Sequence, residues 1–410
     1  MARTVSTSPT TSSRRDGVRP AHVLVSTAPA HGHVNPMLGI VTELAARGHR
    51  VSYTTTEEFV PRVEAAGATA VTYDSVLPSG PHAEWPEDLQ EGQLLFLRET
   101  ENVLPQFEAA FRDDRPDVVL SEDPTGAGRL LAEKWGVPAI HMWEYLAMNE
   151  HWTMQDEMDS YDAENPATVE YFTRLTALLS SLDIAASPEE HFGKVLRGGI
   201  ALYPRSFQYR GETFGDEFAF VGPCLGDRDF QGGWQAPGDG RPVVLVSLGS
   251  AYNQRPEFYR TCFQAFGDLP WHVVLSIGQR LDPAALGPAP ANVEVHAHVP
   301  QLAVLAEASL FVTHAGMGGT IEALYHGVPM VAIPQMLEQE FNARRVEELG
   351  LGRMLRPEDV TVESLRTAAL TVAASGPVRE RVLAMRDETR RAGGAAAAAD
   401  VVEARLAARK

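Results

Sequence analysis

Short β-branched runs alternate with helix-patterned stretches through the first part of the chain, stop, and then restart at residue 243. Strand-like runs fall at 22–28, 51–55, 70–73, 118–121 and 139–142, with helical patterns at 36–46 and 57–66. Alternation of this kind predicts βα units and a parallel sheet. The stretch "CLGDRDFQGGWQAPGDGRP", 224–242, is rich in Gly, Pro and Asp without hydrophobic periodicity and reads as an inter-domain linker. The alternation then resumes with "VVLVSLGS", "WHVVLSIG", "NVEVHAHVPQ", "SLFVTHAGMGG" and "GVPMVAIPQ". A chain of 410 residues is too long for one compact core. The expected organisation is a disordered leader at 1–20, one α/β domain at 21–223, the linker at 224–242 and a second α/β domain at 243–390. The alanine-rich end, 391–410, is expected to form a helix, with packing back on the first domain as the expectation for its place. Two doubly wound domains in sequence face a cleft at the carboxyl ends of their strands.

Composition removes several classes. A formal net charge of −19 argues against nucleic acid and anionic membrane surfaces as partners. The lysines are Lys134, Lys194 and Lys410, and none stands in a GxxxxGK[ST] loop. Two cysteines, Cys224 and Cys262, make neither a disulfide framework nor a zinc site. The polar leader has no hydrophobic signal-peptide region and no apolar run reaches membrane-spanning length, so a cytoplasmic location is expected.

Two segments carry chemistry. In "SLFVTHAGMGGTIEALY", a strand delivers His314 and Gly316, and Gly318, Gly319 and Thr320 open a helix. Backbone N–H groups at such a turn can approach a phosphate, aided by the helix dipole. The run is not GxGxxG, because Ile321 takes the sixth place, and alone it reads more readily as an ordinary tight turn. In "PAHGHVNP", 29–36, His31 and His33 flank a glycine behind the first strand. They could bind metal, do acid/base chemistry or shape a turn; a third metal ligand is not obvious. "DRD", 227–229, sits in the linker and reads as solvated charge.

Taken together, these segments resemble the nucleotide-sugar signature of family 1 glycosyltransferases, the UDP-glycosyltransferase group. "PQ", "THAG", "E", "GVP", "P", "Q" and "N" arrive in that family's order between His298 and Arg345, and "GHVNP" matches its first loop. The whole pattern is closest to the bacterial macrolide glycosyltransferases. The resemblance implies a GT-B fold, two Rossmann-like doubly wound parallel-sheet domains, with the acceptor bound by the N-terminal half and the nucleotide sugar by the C-terminal half.

Position by position, it implies that His314 meets the diphosphate, with Gly316, Gly318, Gly319 and Ser250 around it. Glu322 would accept from ribose hydroxyls, and His298, Val299 and Gln301 would line the nucleoside site. Glu338 and Gln339 would hold the sugar, with Asn342 behind the phosphate loop. The family's base-stacking tryptophan is here His298, and its sugar-binding aspartate is Glu338. A UDP-sugar is expected over a dTDP-sugar, as a substrate, with no cofactor and no metal. His33 maps to the catalytic base. Its carboxylate partner is Glu122 by gapless counting and Asp123 by residue type, and both could instead be acids at a helix start; we favour Glu122.

Phe96, Trp143, Tyr145 and Met148 are candidates for an apolar acceptor pocket, although helically spaced aromatics are most often core. The expected activity is inverting, metal-independent transfer of glucose from UDP-glucose to a hydroxyl of a macrolide or similar hydrophobic natural product, as in antibiotic inactivation. The alternative is a biosynthetic transferase using a dTDP-deoxysugar. A nicotinamide oxidoreductase and a non-catalytic binder are the rivals from other classes. Small-molecule substrates are the expected partners, and the protein is a monomer or homodimer.

Overall fold

A computed structural model describes residues 19–78, 86, 88–123, 126–154, 162–226, 232–250 and 252–408. Most of the leader and the "DRD" acids of the linker lie outside the described residues.

The first domain is built on seven parallel strands: β1 (His22–Ser26), β2 (Arg50–Thr55), β3 (Thr69–Thr72), β4 (Val118–Ser121), β5 (Ala139–Trp143), β6 (Gly199–Ala201) and β7 (Phe218–Phe220). Their order is β3-β2-β1-β4-β5-β6-β7. The second domain has six: β8 (Val243–Ser247), β9 (His272–Ser276), β10 (Val293–His296), β11 (Ala308–Thr313), β12 (Met330–Ala332) and β13 (Gly352–Met354), ordered β10-β9-β8-β11-β12-β13. Central strands such as "HVLVS" and "VVLVS" are buried along their whole length, as parallel strands covered on both faces must be. In each sheet the winding reverses between the first strand and its non-sequential neighbour, β1 beside β4 and β8 beside β11. Crevices open at such points.

Helix α1 spans His31–Ala46, so it starts five residues before the expected Pro36. Ala30 is extended and its carbonyl takes the N–H groups of His33 and Val34, which starts the helix directly behind β1. Pro36 therefore sits inside the helix, close enough to its start that only one backbone bond is lost. Val34, Met37, Leu38, Ile40, Val41 and Leu44 are buried, each worth ~1.5–3 kcal/mol when fully removed from water. They pin to the sheet the helix that carries both histidines.

Further helices are α2 (Val60–Ala65), α3 (Leu89–Ala110), α4 (Ala127–Trp135), α5 (Pro166–Ser181), α6 (Pro188–Val195), α7 (Pro256–Phe266), α8 (Gln301–Glu307), α9 (Met317–His326), α10 (Leu337–Glu348), α11 (Val362–Ala374), α12 (Gly376–Arg391) and α13 (Gly394–Ala407). Helix α12 lies on α9, where Arg390 donates to the Tyr325 carbonyl at 2.8 Å. The chain then turns at Gly393 and Gly394, and α13 packs on α1. Arg47 of α1 reaches Asp400 and Glu403 of α13 at 2.6 and 2.9 Å. A hydrophobic cluster also crosses between the domains, joining Trp152, Tyr203 and Phe207 to Phe341, Val346 and Met385. Arg345 completes it by donating to the carbonyls of Ser206, Phe207 and Gln208. Among the described residues, no helix is long and apolar enough to cross a membrane.

Candidate active site

His33 lies in the first turn of α1, just past the end of β1, and Glu122 follows β4 directly. Because β1 and β4 are neighbours, the reversal of winding brings the two together. His33 Nδ1 is 2.9 Å from Glu122 Oε2, and the other Glu122 oxygen accepts from the Ala28 N–H at 2.5 Å. The Glu122 side chain is only 6% exposed, whereas that of His33 is 42% exposed. The imidazole thus turns one nitrogen inward to a buried carboxylate and keeps an open face to the cleft. Burial would push the Glu122 carboxyl up, but the adjacent imidazole and the Ala28 N–H hold it below the ordinary range. Burial likewise opposes a charged His33, and the charge and hydrogen bond of Glu122, joined by Glu144, outweigh it; the His33 proton is held well above the ordinary imidazole range.

Asp123 is half-buried and acts on Arg129 and Tyr145 instead. Helix α4 is capped by Gly126 without a side-chain bond, so neither acid caps it. His31 is separated from His33 by its partners: Nδ1 accepts from Arg62 at 2.7 Å and Nε2 lies 3.4 Å from Glu58. Burial and Arg62 together lower its pKa, so it stays neutral.

One residue was missed in the sequence. Glu144 follows β5, and its Oε2 is 3.5 Å from His33 Nδ1 with the side chain 5% exposed. His33, Glu122 and Glu144 each place one ligand-type atom within 4.8 Å of the others, the one such group among the described residues. An acid at the carboxyl end of an apolar strand was the available signal, hidden in the aromatic run "HMWEYL".

The opposite wall belongs to the second domain. His314 follows β11 and is held between two glycines. A Cβ on either Gly249 or Gly316 would come within 2.6 Å of its ring, and Gly249 has φ +78°. Burial drives the His314 imidazole down to about 4, so it is neutral at ordinary pH. Ala315 is left-handed (φ 60°), and its carbonyl accepts from Asn342 Nδ2 at 3.0 Å. This fixes the loop that leads through Gly316 into α9, where Gly318 and Gly319 lie in the first turn. Ser250 is exposed at the loop after β8.

Glu322 of α9 is buried and accepts from Gln301 Nε2 at 2.6 Å. His298 is exposed and Val299, beside it, is buried at 3% exposure. Glu338 and Gln339 open α10. Burial raises the Glu338 pKa, opposed by the charge of His33 and by the Asn342 amide 3.3 Å away. Gln339 Oε1 takes the Gln335 N–H at 2.9 Å, which leaves its NH2 group for a ligand. A cavity between the domains is walled by Pro36, Glu144 and Cys224 on one side and by Met317, Gly318 and Glu322 on the other.

Of the four acceptor candidates, Tyr145, Met148 and Phe96 are half-buried. Trp143 differs: the strand β5 runs one residue further than expected and carries it into the core at 0% exposure, its indole N–H on the Gly198 carbonyl. A side chain sealed in this way backs the pocket and does not line it. Tyr145 sits with its hydroxyl 3.4 Å from the Glu122 carbonyl.

Comparison with known proteins agrees with this arrangement. Residues 203–386 match the family model described as UDP-glucoronosyl and UDP-glucosyl transferase. The chain is 44% identical to the demethyllactenocin mycarosyltransferase of Streptomyces fradiae, covering 95% of this chain and 87% of that one. It is 41% identical to the oleandomycin glycosyltransferase of Streptomyces antibioticus over 95% and 92%. The solved structure of CalG4, the calicheamicin glycosyltransferase, superposes with a TM-score of 0.83 at 42% identity, covering 95% and 99%. With two parallel-sheet domains facing a cleft and relatives of this closeness along nearly its whole length, the chain belongs to the UDP-glucuronosyl and UDP-glucosyl transferase family of GT-B glycosyltransferases.

Proposed function

We propose that the protein transfers a sugar, glucose from UDP-glucose, to a hydroxyl of a macrolide or similar hydrophobic natural product, with inversion and without a metal. The observation that carries this reading is the His33–Glu122 pair set across the cleft from the His314–Gly319 loop. With Nδ1–H donated to Glu122, the Nε2 lone pair is the base. The acceptor oxygen gives up its proton to Nε2 and bonds to the anomeric carbon as the bond from that carbon to the diphosphate breaks. A single displacement of this kind inverts the centre.

The departing diphosphate is met by the start of α9, and His314, being neutral, contributes a hydrogen bond and not a charge. Glu322 supplies a buried acceptor for ribose hydroxyls, and Glu338 with the Gln339 amide faces the sugar. Antibiotic inactivation is the role we favour, and an oleandomycin glycosyltransferase stands among the relatives. The exposed His298 supports a second reading, since imidazole offers less stacking area than tryptophan. That reading is a biosynthetic dTDP-deoxysugar transferase, and a mycarosyltransferase stands among the relatives.

The test is incubation with UDP- and dTDP-sugars and several macrolides in the presence of a chelator, with product masses as readout. Transfer from UDP-glucose is expected; transfer from dTDP-deoxysugars alone selects the second reading, and no transfer from any donor overturns both. His33→Ala should abolish transfer while donor binding persists.

A further inference from the structure

We propose that Glu144 is a positioning residue for the catalytic pair: a carboxyl that keeps its proton at low pH, leaving Glu122 as the single charged acid beside imidazolium His33, and that ionises ahead of His33, so that its charge sets the pH at which His33 becomes a base. The inference rests on the assignment of His33 as the acceptor base. Both oxygens of Glu144 are buried without a hydrogen-bond partner, although Oε2 is 3.5 Å from His33 Nδ1. Glu122 is satisfied by two N–H groups and Glu144 by none, so the two acids are not equivalent.

The titratable groups around them come from several elements: His33 from α1, Tyr53 from β2, Glu122 after β4, Tyr145 beside Glu144, Cys224 from the linker, and Glu322 and Glu338 from α9 and α10. Of these only His33 can carry positive charge. Two charged carboxylates, both buried, against one imidazolium would leave excess negative charge with little solvent to screen it, and the cheaper state keeps a proton on the carboxyl that lacks partners. Burial and the charge of Glu122 push the Glu144 carboxyl well above its ordinary range, which agrees with that assignment.

Ionised Glu144 would add a second negative charge beside Nδ1 and hold the imidazolium proton more tightly. The three groups therefore titrate as a set, and the pH at which Nε2 becomes free belongs to all of them. Glu122 orients the ring; Glu144 decides when the ring is available.

Glu144→Gln replaces the carboxyl with a group of the same shape that never ionises. The His33 imidazole resonances, assigned by loss in His33→Gln, should titrate about one pH unit lower in Glu144→Gln than in the wild type. The acid limb of kcat should move by the same amount, with KM for donor and acceptor unchanged. In the wild type alone, the His33 resonance should show two inflections. An unchanged His33 titration, or a fall in kcat at every pH with the limb unmoved, overturns the proposal. So does a wild-type titration that changes on removal of divalent metal, because a cation would then be the partner of Glu144. The resonance titration needs no turnover, so absence of transfer would refute the proposed reaction without touching this result.

Discussion

Replacing Asn342 by alanine tests whether the phosphate loop is held in a conformation it would not keep by itself. Ala315 is left-handed without being glycine, which costs ~1–2 kcal/mol for a residue with a Cβ. The fully buried Asn342 amide opposes that strain by donating to the Ala315 carbonyl at 3.0 Å. Removing the donor leaves a buried carbonyl unpaired, at ~1–3 kcal/mol. Global stability in urea should fall by about 2 kcal/mol. The strain and the lost bond are similar in size, so the productive loop should drop to a half or a tenth of the population and weaken donor binding by about 2- to 10-fold. Titration calorimetry with the nucleoside diphosphate measures the second number, and the acceptor KM should not move. Adding Ala315→Gly to the variant should return ~0.5–1 kcal/mol of stability by removing the left-handed penalty. Full donor affinity in a destabilised Asn342→Ala would refute the reasoning, because the bond would then serve only the core.

Glu122→Gln should lower kcat by about 10²–10⁴-fold, the range for a misaligned general base. The sign of its pH effect is opposite to a simple loss. The raised His33 pKa means that activity climbs with pH through an inflection above the imidazole norm, and removing the carboxylate moves that limb to lower pH even as the plateau falls. Gly39→Ala would place a Cβ 2.2 Å from the Cys224 carbonyl, where the linker crosses α1. It should cost about 3 kcal/mol or more by thermal denaturation, since backbone cannot yield as a side chain does. Gly249→Ala drives a methyl into His314 at a positive-φ position and should raise the donor KM about 10-fold while sparing acceptor binding. His314, neutral down to about pH 4, should leave nucleotide-sugar affinity flat between about pH 6 and 8, and a midpoint in that window would show that it binds as a cation.

The alternation of strands and helices and the parallel sheets were legible because parallel strands buried on both faces must be continuous apolar runs. The loop around His314 was legible for a related reason: glycines are obligatory wherever a ring fills the space of a Cβ. The start of α1 was not, because Pro36 is a boundary signal in most contexts and only the extended Ala30 cap shows the helix beginning earlier. Trp143 and Tyr145 are two residues apart in an aromatic cluster, and composition could not say that the strand would carry one inward and leave the other half-open. Gapless counting favoured Glu122 over Asp123, and the geometry supplies the reason. Strand β4 ends at Ser121, and the residue directly after it reaches the histidine on the neighbouring strand's helix. Glu144 was missed although it is an acid at the carboxyl end of an apolar strand, because nothing in sequence brings the ends of β1, β4 and β5 to one point.

The chain passes between the domains twice, once through the linker that leaves β7 and once at Gly393 and Gly394. The two passages touch: the Gly394 N–H donates to the Val221 carbonyl at 2.7 Å. Two tethers fastened side by side act as the pin of a door. Helix α1 is clamped by this pin, through Cys224 against Gly39 and through α13, and its first turn carries His33. The helix that carries the base is therefore anchored at the same place where the two passages of the chain meet, so a substitution at the crossing reaches the catalytic histidine through α1 without touching either substrate.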